Sequence, residues 1–388
     1  MQYNERLQFI YTNPTKIVFG KGAVKEVGYE AEKLGGSRAL VVTDTDLAKT
    51  DLVERVKTFL GKRCAGVFAE VVQDTGVHIV DKGAAYGKSI GADLVVSVGG
   101  GSSIDTGKGI AILLKEGGKL HDYAAQFNAL TRPQTPHIVI PTTAGTGSEV
   151  TYAAVIKDHE RKQKLLVVDY NIIPNVGILD PEMTAGMPPR LTAATGMDAL
   201  THAIEAIHSA QCEPISDAMA LHAIRLIHTY LPIAVARGGD LVARGQMLIA
   251  ACIAGVAFSN AQVGVVHALA HSVGARCGVP HGVANSILLP YGMSFNKDTC
   301  PDRYALVAEA LGISRAGISD EEASSRAIEE IKRFSSSIGL PQRLREVQVP
   351  KEILRELAEL SLYDGSLVYN PKPAFDADLL EKILEEAW

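Results

Sequence analysis

The sequence predicts an α/β domain built on a parallel sheet, followed by an all-helical domain. Three observations carry this. Short β-branched runs alternate with helical stretches up to about residue 185, one of those runs ends directly in three glycines, and beyond about residue 190 the strand signal stops while the helical period persists. Continuous apolar strands separated by helices belong to sheets covered on both faces. At roughly 150 residues per domain, the 388 residues are enough for two or three.

In chain order, Lys16-Ile17-Val18-Phe19 is an early strand-like run. Ala39–Thr43 reads as a buried strand and is followed by the helix-like Asp51–Leu60. Leu94–Val98 is a second buried strand running straight into Gly99-Gly100-Gly101, and His137–Pro141 and Val176–Leu179 repeat the form. Pro188-Pro189 marks the transition, because proline cannot continue a helix from the preceding turn. Helical periodicity then runs through Leu191–Ser209, Ile215–Arg237, Leu241–Ser259, Val265–Arg276, Glu321–Ile338, Lys351–Ser361 and Asp376–Glu386. The expected division is residues 1–186 for the α/β domain and 187–388 for the helical one.

Composition narrows the function. Hydrophobic residues at 47% and charged residues at 21% exclude intrinsic disorder. The formal charge of −6 argues against a nucleic-acid surface, which would carry a basic excess. Five cysteines without a CxxC pair suggest reduced thiols in a cytoplasm rather than a disulfide framework. Met1–Glu5 carries no apolar stretch of a secretory signal. Met247–Ala270 is apolar, but Ser259, Asn260, Gln262 and His267 interrupt it. Its longest clean run, Met247–Phe258, is too short for a bilayer, so a core helix is expected and no membrane partner.

Val98-Gly99-Gly100-Gly101-Ser102-Ser103-Ile104-Asp105 sits where a strand should meet a helix. Glycines let backbone approach a phosphate, and the unpaired N–H groups of a helix start attract an anion. A tight turn without ligand is the plainer reading, weakened by three successive glycines. The GxGxxG fingerprint is absent from the chain. A second polar turn, Thr142-Thr143-Ala144-Gly145-Thr146-Gly147-Ser148, follows the next strand, at the end where such sheets bind ligands; alone it reads equally as a capped loop. Asp44, after its strand, is either a turn or helix-cap aspartate or an acceptor for an adenosine ribose that repels a 2′-phosphate.

In the helical half, Asp198 and His202 are four apart, as are His267 and His271, and His281 follows. Residues at that spacing share a helix face. One carboxylate and several neutral imidazoles suit a divalent transition metal. Any one of these histidines alone would more simply be a satisfied core residue, but two such pairs on mostly apolar helices favour the metal.

Together these motifs resemble the iron-containing alcohol dehydrogenases: Gly99-Gly100-Gly101-Ser102-x-x-Asp105-x-x-Lys108, the Thr142–Glu149 turn, Gly196-x-Asp198-x-x-x-His202, and His267-x-x-x-His271 through His281-Gly282. They run in the family's order along essentially the whole chain. The resemblance implies a Rossmann-like dinucleotide-binding domain, an all-α domain of the dehydroquinate synthase-like type, and NAD(P) in the cleft between them. It implies metal ligation by Asp198, His202, His267 and His281, with His271 near the nicotinamide as a proton relay. Gly100, Gly101, Ser102 and Asp105 match the pyrophosphate loop, Thr142, Thr143, Thr146 and Ser148 the second cofactor turn, and Lys164 a ribose contact. The sequence departs from the family at Asp74-Thr75-Gly76, where Asn-Pro-Thr is common, at Gly107 for a small Ala or Cys, at Cys277 for an aromatic, and at Lys372 for Arg.

The expected activity is reversible hydride transfer between NAD, favoured over NADP by Asp44, and a small alcohol or aldehyde. Fe2+ is the expected metal with Zn2+ the alternative, in a homodimer or higher oligomer. The rivals are a maleylacetate reductase and a cyclising lyase of the dehydroquinate synthase type. The first would need basic residues in the helical pocket, where none is identified, and the second a cluster of Lys and Arg near the histidines, where chiefly Arg276 stands.

Overall fold

The computed structural model describes residues 7–124, 127, 129–158 and 163–388. The start at Met1–Glu5 and His159 lie outside them. The α/β region runs β1 (Lys16–Phe19), α1 (Val27–Lys33), β2 (Ala39–Asp44), α2 (Asp51–Leu60), β3 (Cys64–Val71), α3 (Val77–Ser89), β4 (Leu94–Gly99), α4 (Gly101–Lys115), β5 (His137–Pro141), β6 (Ala153–Asp158), β7 (Gln163–Val168) and β8 (Val176–Leu179). Six strands form one parallel sheet in the order β1-β8-β5-β4-β2-β3.

Strand β2 shows why both faces are covered. Leu40 and Val42 join one apolar cluster with Ile110 and Val80 of α4 and α3, while Ala39 and Val41 join another with Val27 and Val56 of α1 and α2. A two-residue period with both faces buried leaves no polar alternation, hence the continuous apolar run.

The strand order fixes where a ligand belongs. From β2 the chain moves outward to β3, then crosses back so that β4 pairs with the other side of β2. The crevice beyond the carboxyl ends of β2 and β4 is therefore the topological switch point, where open α/β sheets bind ligands. Val42 pairs with Ser97, so two residues further along these strands stand Asp44 and Gly99.

Strands β3, β6 and β7 escaped sequence reading. Strand β3 is an edge strand, mostly half-buried, and contains Gly66. Strands β6 and β7 form an antiparallel pair in which Lys157 faces Lys164, and β6 is only half-buried, alternating between buried and part-exposed positions.

The helices that follow are α5 (Pro189–His208), α6 (Pro214–Ala236), α7 (Leu241–Ala261), α8 (Val265–Cys277), α9 (His281–Asn296), α10 (Pro301–Ala310), α11 (Asp320–Ser337), α12 (Leu354–Ser361) and α13 (Ala377–Ala387). Helices α9 and α10 were not expected; α9 carries Pro290 in its interior, a residue that usually ends a helix.

Packing draws the division differently from the expected 186/187 boundary. One unit comprises Pro14–Gly196 and Thr229–Gly255; the other comprises residues up to Asn13, Met197–His228 and Val256–Trp388. The boundary at 186/187 marks only where strands give way to helices. Residues beyond it still pack with the sheet region: Gly255 of α7 lies against Gly147, and buried Arg244 bonds to Thr192 Oγ1 and Met187 O.

Helices α6 and α7 are long and apolar enough to cross a membrane by length and composition. Two-thirds of the apolar window of α7 is buried inside the protein, and α6 binds Arg303 through Asp217 and Glu330 through His228.

Candidate active site

Helix α4 begins at the third glycine. Gly99 has φ of 153°, a conformation L side chains rarely adopt, and a Cβ there would lie 2.4 Å from Ser103 Oγ. A Cβ on Gly100 would meet Thr143 Oγ1 at 3.1 Å, and one on Gly101 would meet Thr146 Cγ2 at 2.8 Å. The two polar turns thus lie flush against each other, with the first N–H groups of α4 unused by the helix. An anion at that start gains from the oriented amides and the helix dipole. Ser102 Oγ accepts from the backbone N–H of Asp74 at 3.3 Å, bringing in the Asp74-Thr75-Gly76 turn.

Other residues of the same motif bond to one another within the protein. Asp105 accepts from Ser148 Oγ (2.6 Å) and from the N–H of Val155 (3.0 Å). Lys108, fully buried, donates to Ser148 Oγ, Thr151 Oγ1 and the carbonyl of Ala153, which uses all three ammonium protons. These residues clamp the two turns and β6 from behind. Lys164, on β7, stands near enough to favour the charged form of Asp105.

Burial shapes the clamp's electrostatics. It pushes the Lys108 ammonium down to about 8, against the pull of Asp105 and Glu149, and lifts Glu149 to about 7. It also drives His137 down to about 3, helped by the Lys108 charge.

Asp44 is a turn residue in this structure. Its Oδ1 accepts from the N–H groups of Asp46 and Leu47, at 3.0 and 2.8 Å.

In the helical unit, the spacing placed Asp198 and His202 on one face of α5, with His267 and His271 on α8. His281 opens α9. Ligand atoms of Asp198, His267 and His281 lie within 4.8 Å of one another. Asp198 Oδ1 is 3.5 Å from His281 Nε2 and 4.0 Å from His267 Nε2. The Asn285 amide nitrogen stands among them, 2.7 Å from Asp198 Oδ1 and 3.2 Å from both ring nitrogens. Its own Oδ1 is buried without a partner, as expected of an amide drawn to one side by acceptors. A cluster of one carboxylate and two imidazoles, with an amide nitrogen among their ligand atoms, fits a divalent cation. His202 adjoins these three: its ring stacks on His267 at 4.6 Å and on Phe258 at 4.1 Å.

His271 stands apart from the cluster, its ring stacked on His281 at 5.2 Å. Its Nδ1 is 2.7 Å from Asp364 Oδ2. Burial works against ionising Asp364, but the His271 ring and the Ser366 N–H hold its carboxyl well below the usual range. An ionised carboxylate only accepts, so His271 Nδ1 donates.

Three partners escaped sequence reading. Glu205, 2.5 Å from His267 Nδ1 through its Oε2, lies seven residues beyond Asp198, and Asn285 lies four beyond His281, so helical spacing contained a signal for both. Asp364 is 93 residues from His271 and nothing local announces it. Arg276, the cation a phosphate- or carboxylate-bearing substrate would call on, is engaged by Glu356 at 2.6 Å.

Comparison with known proteins agrees with this geometry. The family description iron-containing alcohol dehydrogenase matches residues 14–181, and its C-terminal counterpart matches residues 192–388. The chain is 41% identical over 374 residues to an NAD-dependent methanol dehydrogenase of Bacillus methanolicus, covering 95% of this chain and 97% of that protein. It is 41% identical over 380 residues to a 1,3-propanediol dehydrogenase of Klebsiella pneumoniae, covering 96% and 97%. The crystal structure of a 1,3-propanediol oxidoreductase superposes with a TM-score of 0.95 at 40% identity, covering 98% of this chain and all of that one. The strand order, the glycine turn, the histidine cluster and these full-length likenesses converge, and the chain belongs to the iron-containing alcohol dehydrogenase family.

Proposed function

We propose that the protein catalyses reversible hydride transfer between NAD and a small primary or short secondary alcohol, using a divalent cation held by Asp198, His267 and His281 with His202 as fourth ligand. Iron is the expected ion and zinc the alternative. The convergence of three ligand atoms within 4.8 Å carries this reading. It is supported by the methanol dehydrogenase relative, which is NAD-dependent, and by the propanediol relative, whose substrate is a small diol.

A bound cation supplies Lewis acidity toward an alcohol oxygen, and the nicotinamide supplies the hydride acceptor. The protein does the rest. One carboxylate among neutral imidazoles would offset only one of a divalent cation's two charges, so a held ion would keep a net positive charge toward the substrate oxygen. The start of α4, with Gly100, Gly101 and Ser102, holds the pyrophosphate, and Thr142, Thr143 and Thr146 line the adjoining turn. Ser148, Asp105 and Lys108 keep those turns in register from behind. Lys164 is assigned to the ribose. His271 exchanges the proton at Nε2, because Asp364 commits its Nδ1.

The five cysteines are free thiols, in keeping with a cytoplasmic enzyme. Strand β1 ends the sheet with Ile17 and Phe19 partly exposed, and a second copy of the chain is its proposed cover, making a homodimer.

The test is to follow nicotinamide absorbance with NAD and a panel of alcohols, before and after chelation. Reduction of NAD by at least one small alcohol, lost on chelation and restored by Fe2+ or Zn2+, is expected. Turnover indifferent to metal removal, or no turnover with any alcohol, overturns the proposal.

A further inference from the structure

We infer that Glu205 is a positioning residue for the metal site: it fixes the tautomer of His267 so that Nε2 presents a lone pair to the cation. The inference rests on the reading of Asp198, His267 and His281 as ligands. Glu205 lies on α5, fully buried, and both of its oxygens are used. Oε1 accepts from the backbone N–H of Val266 at 2.8 Å, and Oε2 lies 2.5 Å from His267 Nδ1.

Two independent contacts agree on where the imidazole proton sits. The Val266 N–H can only donate, so the carboxylate faces it as acceptor and offers its second oxygen to Nδ1. At the far side of the ring, His267 Nε2 faces the Asn285 amide nitrogen, also a donor, at 3.2 Å. A ring between an acceptor at Nδ1 and a donor at Nε2 carries its proton on Nδ1. Nε2 is then the basic atom, turned toward Asp198 and His281. Metal-bound histidines characteristically have such an acceptor behind them.

The backbone makes room for this contact. Gly264 precedes α8, and a Cβ there would lie 3.2 Å from Glu205 Oε1 and 2.7 Å from Asn370 Oδ1. Asn370 in turn accepts from the N–H of Val265. Glu205 therefore caps the start of α8 while orienting a residue in its first turn, so the same carboxylate sets the position of the ring and its proton.

The discriminating variant is Glu205→Gln, which preserves shape. Val266 N–H claims the amide oxygen, leaving an NH2 group against Nδ1. That group demands a lone pair there, drives the proton to Nε2 and removes the ligand without removing the residue. Co2+ and Zn2+ affinity is measured by competition with a chelator on wild-type and variant protein, alongside the visible spectrum of bound Co2+ and the unfolding midpoint. Binding about 10- to 100-fold weaker, with an altered Co2+ spectrum and near-native unfolding, is the expected result. Wild-type affinity and an unchanged spectrum in the variant overturn the inference. In parallel, 15N spectra of the metal-free wild type, with His267 assigned by comparison with His267→Gln, report the tautomer directly. A proton on Nδ1 supports the inference and one on Nε2 refutes it, whether or not the variant folds. A wild type that takes up neither metal overturns the metal site itself, and the tautomer measurement still decides the role of Glu205.

Discussion

The different work proposed for two histidines one turn apart on α8 rests on their different partners. His267 is backed by Glu205 and turned toward Asp198 and His281, whereas His271 is backed by Asp364. His267→Ala and His281→Ala should therefore purify with little metal and almost no activity. His271→Ala should keep metal near the wild-type level yet turn over about 10²–10⁴-fold more slowly, the usual worth of general acid–base help. Its deficit should shrink at high pH, where hydroxide takes the proton directly. Metal per chain by atomic emission and a pH–rate profile separate the cases; metal-free His271→Ala would make that residue a ligand. Asp364→Asn should reproduce the slow turnover with metal retained, because an amide no longer guarantees the Nδ1 proton. Asp44 poses a similar question of roles. Its Oδ1 is spent on the turn, so Asp44→Asn keeps those bonds and removes only the charge. Steady-state kinetics with NAD and NADP should show a narrower preference for NAD. An unchanged ratio would leave Asp44 a turn residue alone.

At the level of elements, the legible parts of the chain were those whose pattern is local. Buried strands such as β2 and β4 read as continuous apolar runs, and α5 and α8 placed their polar pairs by four-residue spacing. The half-buried edge strand β3 and the lysine-bearing pair β6 and β7 were not legible, since their part-exposed positions interrupt the continuous apolar run that marks a buried strand. The second turn shows a subtler gap. The space beside Gly145 and Gly147 in that turn is taken by helices, which the turn's own sequence does not announce. A Cβ on Gly145 would meet the carbonyl of Thr195 at 2.8 Å, and one on Gly147 would meet Gly255 Cα at 2.6 Å, with φ of 60°. Gly147→Ala combines backbone-on-backbone overpacking, typically about 1–3 kcal/mol, with about 1 kcal/mol for a left-handed non-glycine residue. Urea unfolding should show a loss of about 2–4 kcal/mol. A near-native midpoint would mean that α7 withdraws freely from the turn.

Across the whole molecule, the clamp behind the two polar turns gives stability an unusual dependence on pH. Glu149 titrates at about 7 when folded against an ordinary 4.5, so between those values the folded state holds more protons than the unfolded one. Stability from this group must fall as pH rises across that window. Lys108 works in the other direction: at about 8 folded against 10.5, it leaves the unfolded state more protonated, and stability rises with pH between those values. The pair therefore sets a minimum between about pH 7 and 8, where a buried carboxylate and a buried ammonium are both charged and hold each other. Their mutual attraction and the three hydrogen bonds of Lys108 offset the cost of burying them, which is why removing one partner alone is not a simple relief. Glu149→Gln isolates the acid side, since it deletes the titrating group while keeping its size. The variant's urea midpoint should vary less than the wild type's between pH 4.5 and 7, with the alkaline rise from Lys108 still present and beginning at lower pH, because the ammonium has lost a neighbouring negative charge. Equal slopes for the two proteins below pH 7 would show that Glu149 is not the group that titrates there.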